Sequence, residues 1–189
     1  MPPKVRVTRE DIVRSAVEIV RSSGADALNA RRIAAALDCS TQPVFSNFNT
    51  MDALKLAVVE AAERMFQEYM QREVELGEFP PYKASGRAYI RFAREERELF
   101  KLLYMRDRAG EVIPPEDKLS DQMEVMVQEN TGLSPAKAKL FHLEMWAYVH
   151  GIASMVATGF LELEPELISR MMTDFYQGMK KHHADGREE

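Results

Sequence analysis

Residues 29–54 read NARRIAAALDCSTQPVFSNFNTMDAL, and the order of residue types in this stretch decides the fold. The Asn29 side chain can accept from the free amides at a helix start, so a helix begins behind it and runs to about Leu37. Asp38 and Cys39 break it, with Cys39 read as packing in the turn. Ser40 stands where it can cap a second short helix over 41–48. Pro43 lies in the first turn of that helix, where a missing N–H costs little. Neither helix is long enough to persist alone in water. Both therefore need a shared core, and Ile33, Leu37, Val44 and Phe48 supply it. Thr41, Gln42, Phe45, Ser46 and Asn47 are left facing outward on the second helix. A short polar helix propped on a small core is what reading a DNA major groove requires. The groove is about 12 Å wide and admits one helix; Gln and Asn can bond adenine through two hydrogen bonds, and Ser or Thr can donate or accept. Lys4, Arg6, Arg9 and Arg31 are the cations placed to neutralise phosphates.

Upstream, Thr8 with Asp11 three residues on predicts a capped helix start. Ile12, Val13, Ala16, Val17 and Val20 then form an apolar stripe, and Gly24 is expected as a left-handed end. Downstream, Thr50 caps a long helix carrying Leu54, Val58, Ala61, Met65 and Tyr69. The run GEFPP at 77–81 is a linker. Helices are expected near 82–94, 95–106 and 116–130, over 135–158 behind Ser134, and from about Pro165 onward. No strand-like alternation extends beyond a few residues, so the fold class is all-α. A three-helix helix-turn-helix domain is expected over 1–53, a helical bundle over 54–182, and a disordered tail over 183–189.

Charge is unevenly placed. The 189 residues carry a net −5, yet residues 1–49 hold seven Lys/Arg against five Asp/Glu, a local +2 that leaves −7 for the other 140. Contact with a polyanion is thereby confined to the N-terminal end. No apolar run reaches the roughly 18 residues of a membrane helix, and the N-terminus lacks a signal-peptide core; a cytoplasmic location is expected. Cys39 stands alone, so no intrachain disulfide forms. Phosphate-binding glycine loops, nucleophile elbows and zinc-binding H-E-x-x-H are all missing, and neither an enzyme, a cofactor nor a metal site is expected.

The stretch quoted at the outset resembles the DNA-binding signature of the TetR family at Asn29, Arg31, Ile33, Ala34, Ser40, Phe45, Phe48 and Leu54. Three positions depart from that pattern: Phe45 replaces a common Tyr, Met51 a common Lys, and Pro43 a small residue or Thr. Lys55, one turn beyond Met51, is placed to substitute. The expected DNA-binding set is Lys4, Arg6, Asn29, Arg31, Ser40, Thr41, Gln42, Phe45, Ser46, Asn47 and Lys55. The resemblance implies an all-helical two-domain fold and a homodimer on a palindromic double-stranded DNA operator. It also implies a C-terminal half that binds a small-molecule effector and forms the dimer.

The run Trp146 to Gly151, WAYVHG, is similar to a W-x-x-x-H-G pattern in a subset of that family. It directs attention to a cavity near Trp146 and His150, lined by Phe92, Phe100, Tyr104, Met123 and Met126. Trp146 as core and His150 as a packing histidine is the competing reading. Twelve methionines suit an adaptable apolar site and suit ordinary core filling equally. For the dimer, two stripes are expected: Met145, Val149, Ile152 and Val156 on one helix, and Leu167, Ile168, Met171, Phe175 and Met179 on the next. Intrachain core remains open for either stripe. A ligand-released repressor is the leading function, with a helical dimeric binding module that has lost DNA binding as the alternative.

Overall fold

The computed structural model describes residues 7–106 and 118–184, and all regular structure among them is helical. Helix α1 (Arg9–Ser23) starts where the sequence requires. The Thr8 hydroxyl accepts from the Asp11 amide, and the Asp11 carboxylate accepts from the Thr8 amide at 3.1 Å. The helix buries Ile12, Ala16, Val17, Ile19 and Val20. Gly24 ends it with the expected positive φ, 80°, although its ψ of 166° lies outside the left-handed helical region; its N–H closes onto the Val20 carbonyl. A single 3-10 turn over Ala25–Ala27, unforeseen in the sequence, then delivers buried Leu28.

Helix α2 (Ala30–Ala36) is capped by Asn29, which accepts from the Arg32 amide at 3.0 Å. Helix α3 (Gln42–Asn47) follows, then α4 (Met51–Glu75), whose Ala53 amide donates to the Thr50 hydroxyl. The remaining helices are α5 (Pro81–Glu95), α6 (Arg97–Tyr104), α7 (Lys118–Thr131), α8 (Pro135–Ala157) and α9 (Pro165–Ala184).

These elements form two compact units. Among the described residues, 7–68 and 96–106 make the first, and 69–95 and 118–184 the second. The boundary expected at 53/54 thus differs from the compact division, which falls within α4 and returns α6 to the first unit. The reason is tertiary. Helix α6 packs on α1 and buries Leu99, Phe100 and Leu103. Beside it the Arg21 guanidinium makes a two-pronged ion pair with Glu96, at 2.7 and 3.0 Å. The two partners lie 75 residues apart.

In the second unit, α8 packs on α5, α7 and α9. Phe141, Val127, Ala138 and Met145 form one core cluster, flanked by Tyr82, Phe175, Tyr176 and Met179. Gly86 permits a close helix approach: a Cβ there would lie 2.4 Å from the Met172 Cε and 3.6 Å from Val149. Glu73, nearly buried, is held by Arg87 at 3.2 Å and Arg91 at 3.5 Å. The expected tail begins too early, because α9 continues through His183 and Ala184. His183 lies 2.9 Å from the Glu144 carboxylate and edge-on to Phe141. Residues 185–189 lie outside the described residues.

Candidate nucleic-acid interface

The proposed reading helix is shorter than expected, and its start is built differently. Ser40 is exposed and does not cap α3. The position before the helix is Thr41, whose backbone is already helical (φ −72°, ψ −12°), and no side chain bonds the first-turn amides. A side-chain cap needs extended backbone at that position, so the Thr41 hydroxyl does not serve. The chain turns three residues before Thr41, at Asp38, whose φ of 48° is the one positive value outside glycine among the described residues. The Cys39 amide then closes onto the Ala34 carbonyl at 2.9 Å.

With no cap bond, α3 is held by its neighbours. Val44 and Phe48 are almost fully buried beneath it, with Ile33 from α2 also buried. Leu37 is half-buried. At the far end the Arg9 guanidinium lies over the Phe48 ring, 4.1 Å from its centroid, and donates to the Asn47 carbonyl at 3.3 Å. This Arg9 contact was invisible in the sequence, because its partners lie 38 and 39 residues away.

The outward face carries Gln42, Phe45 and Ser46, with Phe45 51% exposed. Thr41 and Asn47 are half-buried. Ser46 donates to the Gln42 carbonyl at 2.9 Å, and Asn47 donates its amide to the Pro43 carbonyl at 2.8 Å. The Asn47 side chain is thereby turned back onto its own helix. Asn29 is similarly engaged, accepting from Arg32 and donating to Ala27. Arg31 is exposed and forms no ion pair with a described residue, whereas Arg32 bonds Ser23. Lys55 is exposed beside Asp52 at 3.3 Å. Lys4 and Arg6 lie outside the described residues.

The residues expected to line a ligand cavity divide between the two units. Phe100 and Tyr104 belong to the first, with ring centres 5.1 Å apart and Phe66 edge-on to Tyr104. Phe92, Met123, Met126, Trp146 and His150 belong to the second. There Phe92 is fully buried against Tyr69, and Ser85 donates to the Met123 sulfur. Trp146 is 44% exposed and stacks on His150, with centroids 5.0 Å apart. His150 is 2.8 Å from the Tyr89 hydroxyl and 3.3 Å from that of Ser154, and burial holds its pKa below the ordinary 6.5. Tyr89 is a partner that no sequence spacing announced. A cleft of about 490 Å³ opens elsewhere in this unit, among Phe79, Lys83, Arg87, Ser169, Arg170 and Thr173. None of the seven expected residues lines it.

The expected dimer stripe needs correction. Met145, Val149, Ile152, Val156 and Ile168 are buried within the chain itself and cannot meet a partner. Helix α8 is apolar on opposite sides, and the stripe chosen from spacing is the one facing α5, α7 and α9. The exposed side carries Leu140, Leu143, Trp146 and Ala147. On α9, Leu167 is exposed and Met171, Phe175 and Met179 are half-buried, with Phe175 stacked on Tyr148.

Residues 82–175 match the sequence model of the tetracyclin repressor-like C-terminal domain. The chain belongs to the TetR family. The match lies in the C-terminal half, and the fold of the whole chain is supported by solved structures. A TetR-like transcriptional regulator from Rhodococcus sp. RHA1 superposes with TM-score 0.68 at 18% identity, covering 99% of this chain and 100% of its own. A TetR-family member from Streptomyces coelicolor A3 gives 0.62 at 21%, covering 88% and 96%. The multidrug binding protein EbrR, complexed with imidazole, gives 0.60 at 20%, covering 88% and 93%. No curated protein sequence matches this TetR-family chain at a significant level. Among the described residues no helix is long and apolar enough to cross a membrane, and no cluster of three His, Cys, Asp or Glu could hold a metal.

Proposed function

We propose that this TetR-family regulator is a repressor that binds a palindromic operator as a homodimer and is released by a small apolar or amphipathic effector. One observation carries the DNA-binding reading: α3 buries Val44, with Phe48 buried just past its end, and turns Gln42, Phe45 and Ser46 to solvent. Gln42 has the amide needed to bond adenine through two hydrogen bonds. Phe45 has no hydroxyl for a phosphate but offers an apolar surface to a thymine methyl. Arg31 and Lys55 are the described cations available for phosphates, with Lys4 and Arg6 expected alongside them. Local positive charge in an acidic chain favours docking by the N-terminal end alone.

The homodimer reading is supported by the exposed apolar side of α8 at Leu140, Leu143, Trp146 and Ala147. On α9, exposed Leu167 and half-buried Met171 are further candidates for the interface, as are Phe175 and Met179, which are half-buried against the Phe141 cluster. Binding of multiple drugs by a structural relative supports an effector, and its release of DNA would be a shift between two dimer states. The regulator acts in the cytoplasm and has no enzymatic activity in this reading.

The test is a gel-shift series with duplexes from the DNA flanking the gene, at several salt concentrations. A sequence-specific shift that weakens steeply as salt rises supports the proposal. No salt-sensitive specific shift with any palindrome there overturns it.

A further inference from the structure

We propose that Arg9 is a positioning residue for the reading helix: its guanidinium clamps the end of α3 to α1 and so sets the angle at which Gln42, Phe45 and Ser46 face DNA. The inference rests on the DNA-reading role proposed above.

Helix α3 has six residues, no side-chain cap and one buried side chain, Val44, so its direction depends on ties to its neighbours. Its start is tied to α2 through the turn in which Cys39 bonds Ala34. Its end is tied to α1 by Arg9. The Asn47 carbonyl is one of the last four in the helix, which have no partner inside it. Arg9 supplies the donor at 3.3 Å and places a positive charge at the negative end of the helix dipole. The same guanidinium lies on the Phe48 ring, 4.1 Å from its centroid, and that ring is only 2% exposed.

Both ends of the clamp are themselves fixed. Phe48 is wedged in the core, and the first turn of α1 is locked by the Thr8–Asp11 box. Neighbouring Asp11 is engaged with Thr8 and Arg14, and Arg9 forms no ion pair with a described residue. Its charge is therefore spent on α3. A planar guanidinium can stack on a ring and donate in its plane together, which an ammonium cannot reproduce. The sequence placed Arg9 among phosphate contacts; this geometry assigns it a different task, acting on the reading side chains through Phe48 and Asn47.

The test compares wild type, Arg9→Lys and Arg9→Met. The probes are a duplex that wild type enriches from a random pool and a scrambled duplex of the same composition. If Arg9 positions α3, both variants lose about five- to tenfold in the ratio of the two affinities while keeping the wild-type salt slope, and amide exchange at residues 44–48 accelerates in both. If Arg9 is a phosphate contact instead, Arg9→Lys keeps the ratio and Arg9→Met lowers the log–log salt slope by about 0.9, which overturns the proposal. Simple loss of folded protein would weaken both duplexes equally and leave the ratio unchanged, which also overturns it. Wild type enriching no sequence sinks the DNA reading itself; enrichment with an intact ratio in Arg9→Lys sinks only the clamp.

Discussion

Helices α3 and α8 lie at opposite ends of what a helical pattern can convey. Helix α3 has six residues, of which Val44 is buried, and its outward side is polar apart from Phe45. Val44 and Phe48 go inward, while Gln42, Phe45 and Ser46 go outward, as their spacing requires. Helix α8 has 23 residues and is apolar on opposite sides. It buries Phe141, Met145, Val149 and Ile152 and leaves Leu140, Leu143 and Trp146 exposed. The longer helix was the harder to orient. Contrast between faces, not length, tells a helix which side is inside. A helix with two apolar sides has two things to bury against, and only packing assigns them.

The comparison can be broken most sharply at Ile152, on the buried side of α8. Truncating Ile152→Ala should destabilise the fold by about 2–5 kcal/mol in denaturant unfolding, the usual range for buried aliphatic truncations. A cost near zero would mean that this side is not core. On the opposite side, Leu143→Glu should leave monomer folding nearly unchanged and weaken self-association by about 2 kcal/mol or more, roughly 30-fold. Sedimentation at a series of concentrations reads this directly; an unaltered dimer would move the proposed interface away from α8.

On α3, Gln42→Ala should reduce discrimination between the enriched and scrambled duplexes by about 1–3 kcal/mol, with thermal unfolding unchanged. Equal discrimination would leave Phe45 and Ser46 as the readers. Asn29→Ala, removing the α2 cap, should lower stability by about 1 kcal/mol. The smallest effect is expected from pH. Burial lowers the folded-state pKa of His150, so the unfolded chain binds the proton more readily. Its contribution to stability is complete above 6.5 and declines as pH falls below that value. His150→Gln should lose that part of the acid sensitivity, and identical stability–pH curves for the two proteins would remove His150 from the account.

The all-helical class was legible from residue order alone, as were the Thr8, Asn29 and Thr50 caps and the burial of Ile33, Val44 and Phe48. Each depends on partners within four residues or on a clear apolar stripe. The failures share a different cause. Ser40 looks like a cap, but capping depends on backbone angles, and the turn at Asp38 had already set those of Thr41. The Asn47 amide donates to the Pro43 carbonyl, a bond that residue type alone does not announce. The aromatic set from Phe92 to His150 shares chemical character, yet it divides between two compact units. Tyr89 beside His150 and Glu96 beside Arg21 involve separations of 61 and 75 residues, beyond any local pattern.

What the residue order settled was therefore local: where helices begin, which short helix is polar on one side, and the net positive balance of residues 1–49 in an acidic chain. Those properties follow from hydrogen bonds and side-chain periodicity over one or two turns. The tertiary structure alone decided that α6 returns to pack on α1, that α8 shows Leu143 and Trp146 while hiding Ile152, and that Arg9 reaches the end of α3. Each of these is a choice between faces or partners of similar polarity, and burial resolves such a choice only once the whole chain is packed.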